Sequence, residues 1–106
     1  MLALATKLAL LGRSDKVPLL TGITRGIEKE SLRVQSNGRL ATTLHPKALG
    51  STLTHPSITT DYSEALLEFI TTPSSSIAQV LNELDEIHRY TYQHINDELL
   101  LSLIHI

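Results

Sequence analysis

Glu28 and Glu30 stand two residues apart in the stretch Gly22-Ile23-Thr24-Arg25-Gly26-Ile27-Glu28-Lys29-Glu30-Ser31-Leu32-Arg33-Val34. In an extended strand, positions i and i+2 point to the same side. Both carboxylates would then share one side, with Lys29 on the other. Two unit charges roughly 4 Å apart repel by about 4 kcal/mol at an effective dielectric of about 20. A buried pair of this kind needs a cation, or one of its carboxyls protonated. Mg²⁺, a hard ion that takes oxygen ligands, would serve. A solvated strand edge of mixed charge accounts for the same residues without a ligand, and the E-x-E spacing alone does not separate the two.

A second acidic stretch follows at residues 58–70, Ile-Thr-Thr-Asp-Tyr-Ser-Glu-Ala-Leu-Leu-Glu-Phe-Ile. Its SEALLEF portion has helix propensity, and Ser63 could cap a helix there. On a helix Asp61 and Glu68 would fall two turns apart on one face. On a single strand they would face oppositely, because seven is an odd number. A strand over the second half, with a bend near Tyr62-Ser63, would bring Asp61 round. Alternation then puts Glu64, Leu66 and Glu68 on one face and Ala65, Leu67 and Phe69 on the other. A carboxylate on a largely apolar strand face is costly unless paired. That cost favours Glu68 as a site residue over Glu64, which lies nearer the bend.

Taken together, GITRGIEKESLRV, the intervening GRLATTLHPKALGSTLTHPS and ITTDYSEALLEFIT resemble the N-terminus of the glutamate–cysteine ligases (gamma-glutamylcysteine synthetases) of the proteobacterial type. The resemblance is strong from about Gly22 to Leu100, loose over residues 1–21 and absent after Leu100. It implies an ATP-dependent ligase joining the gamma-carboxylate of L-glutamate to the amino group of L-cysteine, through a gamma-glutamyl phosphate, as the first step of glutathione synthesis. The implied fold is α+β, the N-terminal part of a glutamine synthetase-like ligase. It has a few mostly antiparallel strands, an N-terminal helix and a longer helix near residues 77–95. Residues 1–106 would form a single partial domain of a longer catalytic domain, inactive alone and cytoplasmic. Carried over residue by residue, the metal ligands are Glu28, Glu30, Asp61 and Glu68, for Mg²⁺ or alternatively Mn²⁺. No catalytic residue is assigned. Leu44, where the family often has Gly, and Ser57, where an aromatic is usual, depart from the pattern in the loops. The competing class is a small non-enzymatic module that binds a metal ion or a protein.

Composition narrows the partners. With 9 Lys+Arg against 11 Asp+Glu, the net charge of −2 offers no basic patch for nucleic acid. The absence of cysteine excludes disulfides and thiolate metal sites and fits a reducing compartment. The start, MLALATKLALLGRSDK, lacks a basic segment before its apolar run, and Lys7 interrupts that run. No apolar run reaches the roughly 18 residues of a membrane span.

The elements that would position the carboxylates can be read in outline. Leu4, Leu8 and Leu11 have helical spacing within residues 2–11, a helix expected to pack on the sheet, with Gly12 as its stop. Residues 13–21, with Pro18, read as a connector. Residues 23–34 suit either period, and the family resemblance implies a strand. Asn37-Gly38 is a preferred hairpin turn, which predicts pairing of residues 27–34 with 39–43. His45-Pro46-Lys47-Ala48-Leu49-Gly50 reads as one helical turn, with His45 and His55 as capping or packing residues. Ser76-Ile77-Ala78-Gln79 is a capping box opening a helix over 77–95. Its apolar stripe is read as Ile77, Val80, Leu81, Leu84, His88, Thr91 and Ile95, with Glu83, Asp85, Glu86 and Arg89 opposite. His88, Tyr92 and His94 are assigned no chemistry. Residues 101–106, Leu-Ser-Leu-Ile-His-Ile, are what CTG-TCT-CTT-ATA-CAC-ATC encodes, the end of a transposon-based sequencing adapter, and are expected to be a non-native tail.

Overall fold

The computed structural model describes residues 1–102. In chain order the elements are α1 (Leu4–Leu11), α2 (Val17–Thr21), β1 (Glu28–Val34), a 3-10 turn (Lys47–Leu49), β2 (Ile58–Thr60), β3 (Leu66–Ile70), α3 (Ile77–Tyr92) and β4 (Leu99–Ser102). The four strands form one antiparallel sheet in the order β2-β3-β1-β4. This is the α+β architecture expected, and the 58–70 stretch resolves as a β2–β3 hairpin bent between residues 61 and 65.

The register sorts side chains by parity. On β1 and β3, Glu30 lies opposite Glu68, Glu28 opposite Ile70 and Leu32 opposite Leu66. Lys29 opposite Phe69 and Ser31 opposite Leu67 therefore face the other way. That second side carries the core, where Leu49, Ile58, Leu67, Phe69, Ile87 and Ile95 cluster with Leu84 and Leu100 packed against them. Glu64 falls in the bend before β3 begins and so is not on the Leu66–Glu68 face as a strand residue.

α3 covers this core. Ser76 caps it, its Oγ accepting the Gln79 N–H at 3.2 Å. The reciprocal half of the box is relayed: the Gln79 side-chain carbonyl accepts from the Ser74 hydroxyl, which itself accepts the Ser76 N–H. The buried line on α3 is Val80, Ile87 and Thr91, with Leu84 partly buried. This corrects the expected stripe. Ile77, in the first turn, and Leu81, about 100° round from Val80, stay exposed, and Ile87 takes an inward place. Glu83 also departs from the outer face, its carboxylate accepting the N–H and hydroxyl of Thr72 beyond the end of β3. The helix ends at Tyr92 rather than at 95, and Ile95 enters the core from the turn that follows.

The hairpin after β1 forms only at its tip. Gly38 adopts φ +83°, and Gln35 N–H bonds Arg39 O at 2.7 Å. The return segment then makes a single bridge, Val34 with Leu40, and no strand. The reason is edge occupancy: β3 takes one edge of β1 and β4 the other, leaving residues 39–43 no ladder to join. The 3-10 turn at Lys47–Leu49 matches the expected helical turn and ends at Gly50, whose φ of +83° suits glycine. Of the tail expected at 101–106, Leu101 and Ser102 pair with Leu32 and Ser31 in β4, while 103–106 lie outside the described residues.

The N-terminal region departs furthest from expectation. Residues 17–21 are a short helix with Pro18 in its first turn, where the missing N–H costs nothing. Neither α1 nor α2 buries a residue, so α1 does not pack on the sheet. The radius of gyration is 18.8 Å, against about 13 Å for a compact chain of this length.

The corrected stripe has a direct check. Ile87→Ala should cost about 2–5 kcal/mol, whereas Leu81→Ala should change stability by less than about 0.5 kcal/mol. Urea unfolding followed by circular dichroism measures both, and equal losses would restore the stripe read from periodicity.

Candidate metal-binding face

The open face of the sheet gathers acid. Glu28 and Glu30 project from β1 on the side away from α3, and Glu68 projects from β3 directly opposite Glu30. Directly opposed like charges in an antiparallel pair destabilise the sheet, their Cβ atoms lying roughly 5 Å apart. Thr59 of β2 flanks Glu68 on its other side, and Asp61 follows one residue after the end of β2. Glu28, Glu30 and Asp61 are exposed and Glu68 is half-buried.

Each position has a local cause. The entry to β1 is held by Arg25, which exchanges two 2.9 Å backbone bonds with Ser74, and by the Ile27 N–H, which donates to the Thr71 hydroxyl at 2.8 Å. A cleft of about 360 Å³ lined by Gly26, Ile27, Glu28, Ile70, Thr71 and Pro73 opens at this end of the face. The bend carrying Asp61 is pinned at Glu64. Its carboxylate accepts the His45 N–H at 2.8 Å, and its carbonyl accepts from the Arg33 guanidinium at 3.3 Å.

The electrostatics single out Glu68. Burial raises its carboxyl above the ordinary glutamate value, and repulsion from Glu28, Asp61 and Glu30 adds to the rise. The other three acids therefore all act on Glu68. None of the four side-chain carboxylates accepts a hydrogen bond or forms an ion pair among the described residues. By contrast Asp15, Glu64, Glu83, Asp85, Glu86 and Glu98 hold partners, and Asp97 is the one other acid without a partner among the described residues. The carboxylates share a face without closing into a cage: among the described residues no group of three or more His, Asp or Glu side chains is arranged to hold a metal ion.

The histidines have structural work. His55 Nδ1 accepts the N–H groups of Ser57 and Ile58, both at 3.0 Å, and so starts β2. His45 Nε2 meets Gly50 O at 3.1 Å. His88 stands edge-on to Phe69 with ring centroids 4.9 Å apart, and His94 Nδ1 meets Tyr90 O.

Sequence reasoning missed the group that anchors this region. Arg33 is fully buried on the α3 side; its guanidinium donates to Glu98 at 2.7 Å, to the Thr43 hydroxyl at 2.7 Å and to Thr43 O at 2.8 Å. The Thr43 hydroxyl in turn donates to Glu98. No local signal marks it, since the alternation E-K-E-S-L-R-V places polar residue types on both faces.

The family model for glutamate–cysteine ligase matches residues 8–104. The chain belongs to the glutamate–cysteine ligase family. It is 61% identical over 87 residues to the glutamate–cysteine ligase of Alcanivorax borkumensis, covering 82% of this chain and 17% of that one. It is 57% identical over 99 residues to that of Pseudomonas aeruginosa, covering 93% of this chain and 19% of the relative. Among solved structures it is similar to a glutamate–cysteine ligase from Francisella tularensis in complex with AMP, with 47% identity, a TM-score of 0.71, and coverage of 73% of this chain and 16% of that one. A bifunctional glutathione synthetase from Pasteurella multocida gives 34% identity and a TM-score of 0.73, over 81% of this chain and 12% of its own. The chain thus spans under a fifth of the curated family members it matches. Among the described residues no helix is long and apolar enough to cross a membrane.

The raised Glu68 carboxyl fixes a pH dependence. The folded chain holds this proton to higher pH than the unfolded chain, so the stability tied to it is full below the ordinary value of 4.5. It is lost as pH rises through the folded value. Glu68→Gln should therefore stabilise the chain at about pH 7 and leave it unchanged at about pH 4. Urea midpoints at the two pH values test this; no gain at neutral pH would mean that the face is not under repulsive strain.

Proposed function

We propose that this chain is the acidic N-terminal part of an enzyme that joins L-glutamate to L-cysteine with cleavage of ATP. The observation that carries the reading is the run of unpartnered carboxylates across two paired strands, in a chain of this family. Glu28, Glu30, Asp61 and Glu68 offer only hard oxygen donors, which fits Mg²⁺, with Mn²⁺ as an alternative. When bound, the ions would neutralise phosphate charge. The chain's own contribution is to hold three carboxylates on one sheet face, with Asp61 beside them in the bend after β2. Bare, that face repels both ATP and the glutamate carboxylate; its affinity for them therefore depends on counter-ions.

In the proposed reaction a gamma-carboxylate oxygen of glutamate attacks the gamma-phosphorus of ATP and ADP leaves. The amino nitrogen of cysteine then attacks the acyl carbon of the gamma-glutamyl phosphate, giving the amide and releasing phosphate. The carboxylates of the acidic face act as ligands and not as proton donors. Groups for cysteine and adenine would come from the greater part of a family-length chain, and these 106 residues alone would not turn over.

Two measurements test this. In a family-length protein carrying this segment, Glu28→Gln should lower turnover at least about tenfold and raise the Mg²⁺ concentration needed for half-maximal rate, with the fold intact by circular dichroism. Normal activity at limiting Mg²⁺ would remove Glu28 from the site. The isolated chain, given ATP, Mg²⁺, glutamate and cysteine, should release no more ADP than its Glu28→Gln variant; substrate-dependent release above that control would make it a self-sufficient enzyme.

A further inference from the structure

Two buried side-chain nitrogens have no hydrogen-bond partner among the described residues, Arg33 Nε and His45 Nδ1. Arg33 is bonded through both of its terminal nitrogens. His45 is held differently. Its half-buried ring meets Gly50 O through Nε2 at 3.1 Å. A carbonyl oxygen only accepts, so Nε2 carries the hydrogen and Nδ1 is a bare lone pair. The ring is thus fixed as one neutral tautomer, with its other nitrogen enclosed and unbonded.

The same residue pins the bend that carries Asp61. The His45 main-chain N–H donates to a Glu64 carboxylate oxygen at 2.8 Å. Arg33 holds the bend from the other side: its guanidinium reaches Glu64 O at 3.3 Å and its main-chain N–H reaches Ala65 O at 2.8 Å. Two residues before His45, Thr43 is tied to Arg33 and Glu98. The charged and titratable groups that act on the ring are Arg33 from β1, Glu64 from the bend and His55 from the loop before β2. Burial is the largest influence and lowers the pKa of the ring below the ordinary 6.5. Arg33 and His55 lower it further, against the Gly50 carbonyl and Glu64, which raise it.

We propose that His45 is a proton-sensitive latch: its neutral ring holds the bend that presents Asp61, and a proton on Nδ1 releases it. Protonation creates a new N–H donor in an enclosed place, in the field of the Arg33 cation, and an unmet buried donor is costly. The ring leaves its site, or the Glu64 carboxylate moves to meet it. Both alter the contact that fixes the bend. The unfolded chain takes this proton at about 6.5 and the folded chain resists it. The stability contributed by the latch is therefore full above 6.5 and is lost as pH falls below that value. The latch goes beyond the metal-binding reading and stands if that reading fails, because it concerns the position of the bend and not what Asp61 binds.

The test is a nuclear magnetic resonance titration of the 106-residue chain from about pH 7.5 to about pH 4. It is run beside the His45→Gln variant, whose side-chain amide can still donate to Gly50 O but gains no proton. The His45 ring should be the Nε2–H tautomer at neutral pH and should titrate with a midpoint below 6.5. The amide resonances of residues 61–65 should shift with that same midpoint, and the variant should lose the shift. A midpoint at or above 6.5, a ring still neutral at about pH 4, or bend amides that stay still while His45 titrates would each overturn the proposal. So would bend amides that shift alike in both proteins, by assigning the movement to Glu64 or His55. The first three readings come from the unaltered chain and decide the matter even where the variant fails to fold.

Discussion

A full positive charge with no exposed surface constrains much of this structure. Arg33 sits beneath the sheet, and removing a guanidinium from water is tolerable only where most of its donors are met; both terminal nitrogens are bonded, while the buried Nε has no partner among the described residues. Glu98 supplies the counter-charge from the turn before β4, Thr43 two acceptors from the segment after the Asn37-Gly38 turn, and Glu64 a carbonyl from the bend before β3. Three segments far apart in sequence are thereby fixed to one side chain. Removing one partner from such a buried pair costs about 3–5 kcal/mol, because the other charge is left uncompensated. The bend that presents Asp61 and the strand that completes the sheet both depend on this cation.

The sheet separates its charges by face. Lys29 and Arg33 lie on the α3 side, while Glu28, Glu30 and Glu68 lie on the open side. Lys29 is not available to neutralise its sequence neighbours: its ammonium donates to the Ser31 hydroxyl at 2.8 Å and lies 5.9 Å from the Phe69 ring centre. Burial lowers its pKa. The acids are consequently left facing one another. Burial and, after it, their repulsion raise the carboxyl of Glu68. Positive charge or a proton at Glu68 would relieve this face, which is the physical link between the fold and the proposed ligand.

Local rules made a good part of this legible. Asn37-Gly38 announced a turn, Ser76 announced the start of α3, and Gly50 the end of the short 3-10 turn. Period-two parity put Glu28 and Glu30 together, while residues 58–70 suited a helix as well, and it was the family resemblance that called for the bend that β2 and β3 contain. The acidic signature also carried the family. These features depend on neighbours within a few residues, where dihedral preference and side-chain period act directly.

Other features required the assembled molecule. That residues 39–43 form no strand follows from β3 holding, up to Leu32, the edge of β1 along which the return segment runs; only the Val34–Leu40 bridge remains beyond it. Which line of α3 is buried depends on where Leu67 and Phe69 lie beneath it; Ile87 is therefore inside and Leu81 is not. Arg33 became the anchor because three distant segments bring oxygen atoms to it, and that α1 buries nothing against the sheet shows only in the folded chain. The sequence by itself determined turns, caps and strand parity. Tertiary structure decided edge occupancy, burial and charge compensation, because each of these is a competition between surfaces that meet only when the chain is folded.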